Sequence, residues 1–321
     1  MAETMRWLRR GGRLCLFIAL RGLARVAGFR HAPALANVLG ELEYRVAWRR
    51  RRRCARDMAL ALGRSVGDSW VEAQLRRAHH ANAQTTLEIL AMLDRRQDER
   101  ALASRLALEG MENLQTARAG GRGAILLGTH AGNGILLVVR LAAAGWPVSV
   151  VYRQSRMASA GFFARGLARY GVEGIRANEG LPAYSRMVAA VKRGRLVFVT
   201  IDQGVKRPED GTPVRFLGKD MPVAAGPALL SRHTRAPVLP ILATGYDGTW
   251  RFRIEPPLPP ACGPLATDVE RLARASEQQA LRHPELWSWH HRRWHKYPLA
   301  RATMPVWKEE AEPCSTSMNR P

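Results

Sequence analysis

The sequence predicts an α/β fold, a largely parallel sheet flanked by helices, preceded by an N-terminal helical region with an interfacial membrane helix. Three observations lead there. From Gly123 to about residue 254, short apolar runs alternate with helical stretches, the signature of a largely parallel sheet. Before that, Ala, Leu and Arg dominate residues 31–118, and no proline stands between Pro33 and Pro147, so helices are expected. The N-terminus combines a short apolar run with many arginines, which suits the surface of a bilayer rather than its interior.

The first segment is basic as far as Arg13 and apolar from Leu14 to Leu20. Arg21 and Arg25 then interrupt it and no small-residue cleavage site closes it, so a secretory signal is not expected. A spanning helix needs about 20 apolar residues, which this run does not reach. As a helix, Leu16, Leu20, Leu23 and Ala27 form one stripe, flanked by Phe17 and Ala24, with Arg10, Arg13, Arg21 and Arg25 around it. Such a helix lies in the membrane interface or packs on the domain; the segment alone leaves both open.

The run Arg49-Arg50-Arg51-Arg52-Arg53 favours the membrane, because residues 1–56 hold 14 arginines and three acids. Over the whole chain 50 Lys+Arg, only five of them lysine, face 27 Asp+Glu for a net charge of +23. That balance implies anionic partners. Anionic membrane lipids are the expected ones, and nucleic acid is not, since neither finger spacing nor an aromatic ribonucleoprotein motif is present. The four cysteines (Cys15, Cys54, Cys262 and Cys314) form no C-x-x-C pair, which argues against a disulfide framework or zinc ribbon.

Within 31–118, Ala83, Leu87 and Leu90 with Thr86 and Met92 form a core-facing stripe, and 94–100 is a charged break. GAILLGTH is the first strand, followed by a helix over 134–144. PVSVVYR, VEGIRA and RLVFVTID are further strands, separated by helices over 159–170 and 183–192, the latter opened by Pro182. After the Gly/Pro-rich loop 204–213 come PVRF, a helix over 223–234, and the strands APVLPILA and TWRFRIEP. The expected organisation is an amphipathic membrane-associating helix (1–30), a helical region packed on the core (31–118), an α/β domain (119–301) and a flexible tail (302–321).

In such sheets chemistry gathers beyond the carboxyl ends of the strands. His130 ends the first strand there, before the small-residue turn Ala131-Gly132-Asn133-Gly134. Glycines at 132 and 134 let a substrate approach the backbone, and amides at the following helix start are candidate oxyanion donors. Asp202 ends RLVFVTID. It is either the carboxylate that orients His130 or a turn aspartate. His291 and His295 stand four apart beside His290, a spacing that suits zinc on a helix, but no HExxH or third ligand accompanies them, so no metal is expected.

THAGNG, VYR, TIDQG, VRFLG, GPALLSRHTRAPVLPI, IEPPL and HPELWSWHHRRW follow one another in order. Together they resemble the bacterial lipid A biosynthesis late acyltransferases, part of the wider lysophospholipid and glycerolipid acyltransferase group. The resemblance implies a glycerolipid acyltransferase-like fold at the cytoplasmic face of the bacterial inner membrane, peripheral or monotopic. It implies transfer of a fatty acyl chain from an acyl carrier protein thioester, or acyl-CoA, to a hydroxyl of a glycolipid acceptor, with His130 as general base and no cofactor. Arg153 matches the family's arginine after the strand and is assigned, with Arg215 of VRFLG, to anionic groups of substrate. The tryptophans and arginines of 287–294 are expected to wall an acyl channel or interface.

One position departs from the family. Its pattern is His, four residues, then Asp or Glu, and Ile135 stands where the acid belongs. Either Asp202 or the amide of Asn133 holds the imidazole instead, or the reaction needs less basicity with a different acceptor. The remaining alternative is a catalytically inactive relative that binds lipid or a partner protein.

Overall fold

The structure, a computed structural model, describes residues 2–153, 161–205, 208–291 and 293, with side chains from Gly11 onward, Arg13 apart. Helix α1 (Ala2–Val46) is broken at Gly28, whose φ of 65° and ψ of 174° no helix accommodates. Helix α2 (Trp48–Ala61) carries the arginine run, α3 (Ser69–Asp94) follows, and α4 (Glu99–Ala103) is a single short stretch. Asp68 caps α3 by accepting from Trp70 N at 2.8 Å, and Asp98 caps α4 through Ala101 N at 2.7 Å. Small residues let α1 lie close on α3. Ala32 and Ala36 are fully buried, and a Cβ on Gly40 would stand 2.8 Å from the Cα of His80.

The N-terminal half of α1 turns Phe17, Leu20 and Ala24 inward. Phe17 meets Phe162 edge-on at 5.5 Å between centroids, and Arg21 and Arg25 both pair with Asp94 at the end of α3. Leu16 and Leu23, assigned by the sequence to the same stripe as Leu20, point to solvent instead. Arg10 lies outside the described side chains, as does Arg13.

The sheet contains β1 (Leu106–Glu109), β2 (Ala124–Gly128), β3 (Val148–Tyr152), β4 (Glu173–Arg176), β5 (Leu196–Thr200), β8 (Val238–Tyr246) and β9 (Trp250–Ile254), in the order β1-β9-β8-β2-β5-β3-β4. All neighbours are parallel except β8 and β9, which form an antiparallel hairpin. A separate antiparallel hairpin pairs β6 (Thr212–Phe216) with β7 (Lys219–Val223). Among the described residues five further helices follow: α5 (Met111–Arg118), α6 (Gly134–Ala143), α7 (Phe162–Ala168), α8 (Leu181–Lys192) and α9 (Gly226–Thr234). A sixth, α10 (Leu265–Arg282), packs on β6, β8 and β2. The central strand β2 is buried at every position, which is why it reads as an uninterrupted apolar run.

The mixed α/β architecture matches the expectation, with three corrections. Residues 31–118 are not wholly helical, because β1 pairs with β9 inside the main sheet. Residues 219–223 form β7, so the helix expected from 223 starts only at Gly226. Helix α10 was not anticipated. Among the described residues no helix is long and apolar enough to cross a membrane.

Candidate active site

His130 follows β2 and Asp202 follows β5, the adjacent parallel strand, so both stand at the carboxyl edge of the sheet centre. His130 Nδ1 lies 2.7 Å from Asp202 Oδ1, and the backbone N–H of His130 donates to Oδ2 at 3.0 Å. Asp202 is 0% exposed. Its remaining partners come from the segment after α10: Trp287 Nε1 donates to Oδ2 at 3.0 Å and Arg293 Nη2 at 2.8 Å. Arg293 also donates through Nε to the Asp202 carbonyl at 2.7 Å, and its guanidinium lies 3.6 Å over the Trp287 ring. Burial resists ionisation of Asp202, but the charges and hydrogen bonds of His130 and Arg293 outweigh it and hold the carboxyl well below its ordinary range.

An ionised Asp202 only accepts hydrogen bonds, so the Nδ1 of a neutral His130 must carry the proton. Nε2 is then left with its lone pair, the form a general base needs. In this structure that nitrogen is 3.1 Å from Gln203 Nε2, which is also 3.1 Å from His291 Nδ1. An amide NH2 has two protons, one for each imidazole. His291 therefore accepts at Nδ1 and is neutral. Desolvation, then the charges of Arg293 and His130, press its pKa down to about 3. A strap formed by 284–291, with Arg293 beyond it, closes over the turn, with Ser288 N donating to His130 O at 2.8 Å and Gly132 N to Leu286 O at 3.0 Å.

Asn133 does not face the imidazole. It is fully buried, its Oδ1 accepting from Leu136 N at 3.0 Å as the cap of α6 and its Nδ2 donating to Glu88 Oε2 at 2.9 Å. Glu88 also accepts from Gln84 and from Trp250 Nε1 at 2.7 Å. Burial pushes its carboxyl up, against the pull of those hydrogen bonds. Gly132 has a φ of 53°, and a Cβ there would meet Ala243, Phe252 and Trp250 at 3.1–3.2 Å. Packing thus requires that glycine, and its amide is committed to Leu286. Gly134 and Ile135 open α6, whose first intrahelical bond is Leu137 N to Asn133 O at 3.1 Å. Their own amides therefore have no partner within the helix. Ile135 is half-buried against the core.

Arg153 is exposed just beyond β3, the strand beside β5, and so lies on the same rim as His130 and Asp202. Arg215 is on the β6–β7 hairpin opposite Asp220, and its charge reaches Glu277 of α10. The structure brings together His130, Asp202 and the α6 turn. It separates Asn133 from the imidazole.

The tryptophan-and-arginine stretch is also reassigned. Trp287 and Arg293 bond Asp202 from beneath, and Trp289 is buried edge-on behind Trp287, so these three do not face an interface. Trp294 and His295 lie outside the described residues. Gln203 was legible as the neighbour of Asp202, but nothing in its local sequence pointed it at His130.

The bacterial lipid A biosynthesis acyltransferase family matches residues 2–296. The phosphatidylinositol mannoside acyltransferases of Mycobacterium tuberculosis, from strains CDC 1551 / Oshkosh and ATCC 25618 / H37Rv, are each 27% identical over 197 residues. Those residues are 59% of this chain and 61% of the relatives, so the chain spans about three fifths of their length. The crystal structure of the 1-acyl-sn-glycerophosphate (LPA) acyltransferase PlsC from Thermotoga maritima covers 77% of this chain and 97% of its own. It does so at 16% identity and a TM-score of 0.37.

Proposed function

The chain belongs to the bacterial lipid A biosynthesis acyltransferase family, and from that premise we propose that it is a membrane-associated O-acyltransferase. It moves a fatty acyl chain from an acyl carrier protein thioester, or from acyl-CoA, to a hydroxyl of a lipid A-type glycolipid. It works at the cytoplasmic face of the bacterial inner membrane, and the reaction draws on no cofactor. The observation that carries this reading is the 2.7 Å contact between His130 Nδ1 and the buried Asp202 carboxylate. It supplies from β5 the acid that Ile135 fails to supply from the motif.

In this mechanism the acceptor hydroxyl displaces the Gln203 amide from His130 Nε2 and gives its proton to that nitrogen as its oxygen attacks the thioester carbonyl. Asp202 stabilises the resulting imidazolium. Amides of Gly134 and Ile135 receive the oxyanion. The C–S bond then breaks, and the departing sulfur takes the proton back from Nε2. Arg153 holds an anionic group of acceptor or donor by charge-assisted hydrogen bonding.

A second reading, the same chemistry on an acceptor other than lipid A, is favoured by the two relatives named for phosphatidylinositol mannoside acylation. A third, a catalytically inactive lipid-binding relative, rests on Ile135. Purified protein assayed with an acyl carrier protein donor, with lipid mass spectrometry of a host with and without the gene, separates them. His130→Ala is expected to lower transfer by about 10² to 10⁴, and Asp202→Asn by a similar factor. Unchanged turnover in His130→Ala would sink the catalytic reading. An inert wild type that gains activity on Ile135→Glu would favour the inactive relative.

A further inference from the structure

Glu43 near the end of α1, His79 in α3 and His290 in the strap converge on one point, away from His130. One ligand-capable atom of each lies within 4.8 Å of the other two. His79 Nδ1 is 3.5 Å from Glu43 Oε2, and His290 Nε2 is 3.6 Å from Glu43 Oε1. Both are too long for good hydrogen bonds. The His79 side chain is 0% exposed, and neither its ring nitrogens nor those of His290 have a hydrogen-bond partner among the described residues. The two rings stack edge to face at 4.5 Å. Buried polar atoms are nearly always paired, and two rings without a hydrogen-bond partner, each turning one nitrogen to the same carboxylate, point to something that binds between them.

We propose that Glu43, His79 and His290 form a binding site for a divalent first-row transition-metal ion, with zinc the best-suited occupant. Two imidazoles and a carboxylate are a donor set for such ions rather than for calcium or magnesium, which demand oxygen. Zinc binds these donors at about 2.0–2.2 Å, so tetrahedral ligands stand roughly 3.3 Å apart. The cluster, whose ligand atoms lie within 4.8 Å of one another, reaches that spacing by closing at most about 1.5 Å, within the range of side-chain rotation.

Arg50 pairs with Glu43 Oε1. That leaves Oε2 for the metal and makes the guanidinium the outer partner that orients the ligating carboxylate. Arg53 Nη2 donates to the His290 carbonyl at 3.3 Å and anchors the backbone of the third ligand.

The ion clasps three parts of the chain that are distant in sequence. Through His290 it fixes the strap that delivers Arg293 and Trp287 to Asp202. It is a structural metal beside the active site and takes no part in the acyl transfer.

The test uses full-length protein without a histidine tag, stripped with chelator and titrated with Zn²⁺ alone, then with Co²⁺ as a spectroscopic stand-in. One Zn²⁺ per chain, visible Co²⁺ absorption of a tetrahedral site, and an X-ray absorption edge fitted by two imidazoles are expected. Glu43→Gln and His290→Gln should each weaken binding about tenfold or more, while His130→Ala leaves it unchanged. His79 is too deeply buried for a clean variant, and the wild-type spectrum covers it. Absence of stoichiometric binding by wild type overturns the proposal. So does binding that both Gln variants keep, or that His130→Ala abolishes.

Discussion

Asp202 keeps a negative charge out of reach of water because five donor atoms from three residues, His130, Trp287 and Arg293, converge on its carboxyl and carbonyl groups. A carboxyl held below its unfolded value binds fewer protons folded than unfolded. Its contribution to stability is therefore full above the unfolded pKa of about 3.9 and is lost as pH falls further toward the folded value. Acid unfolding should accordingly be shallower below about pH 4 in Asp202→Asn than in wild type, as followed by circular dichroism. Identical acid limbs would mean that the charge is not held as described. Gln203 offers a sharper probe. Gln203→Glu puts a carboxylate where an amide now donates to His130 Nε2, so it should trap the imidazolium and remove the base at neutral pH. Activity should fall about tenfold or more and return as pH rises, shifting the pH–rate profile to the alkaline side. A uniformly lowered profile would show that Gln203 merely packs.

At the scale of elements, the turn between β2 and α6 is built around Asn133 and Glu88. Asn133→Ala removes the α6 cap, worth about 1 kcal/mol, and takes one donor from a buried carboxylate, worth about 1–3 kcal/mol. Denaturant melts should show a loss of about 2–4 kcal/mol, with activity falling through displacement of the turn. A loss below about 0.5 kcal/mol would contradict the hydrogen bonds to Glu88 and Leu136. The same turn shows what a sequence can reveal. The strands beside it were legible because buried parallel strands are continuous apolar runs, and α6 because its small-residue turn gives way to Ile135 through Leu141. His130 and Asp202 were legible as polar residues at the ends of such runs. β1 was not, since LALE is short and lies at the sheet edge, and β7 was hidden by Pro222. The role of Arg293 was out of reach because its partner is 91 residues away.

For the molecule as a whole, the charge of +23 and the outer face of α1 both bear on the proposed membrane association. Opposite the buried Phe17 and Ala24, the N-terminal half of α1 exposes Cys15, Ile18, Ala19, Leu23 and Val26 with no charged side chain among them. Val26 is 90% exposed and Ile18 59%, so the helix is amphipathic in reverse, apolar on the side away from the protein. That face suits an acyl-chain boundary, and on the proposed membrane-bound reading the exposed Arg49, Arg52 and Arg56 of α2 would meet anionic headgroups. Deleting residues 1–30 is a poor test, because it would uncover Phe162 and strip Asp94 of both arginines. Substitution of the outer face alone is better. Each apolar side chain transferred from water contributes about 1.5–3 kcal/mol, so Ile18→Asp, Leu23→Asp and Val26→Asp together should weaken binding to anionic vesicles by about 10³ or more. These positions are exposed, so the melting temperature should stay near wild type. Flotation with vesicles of anionic and of neutral lipid reads the outcome. High salt should release the arginine-dependent part in both proteins, since screening acts on charges and spares apolar insertion. If the triple variant floats as wild type does in high salt, the apolar face of α1 is not what enters the membrane.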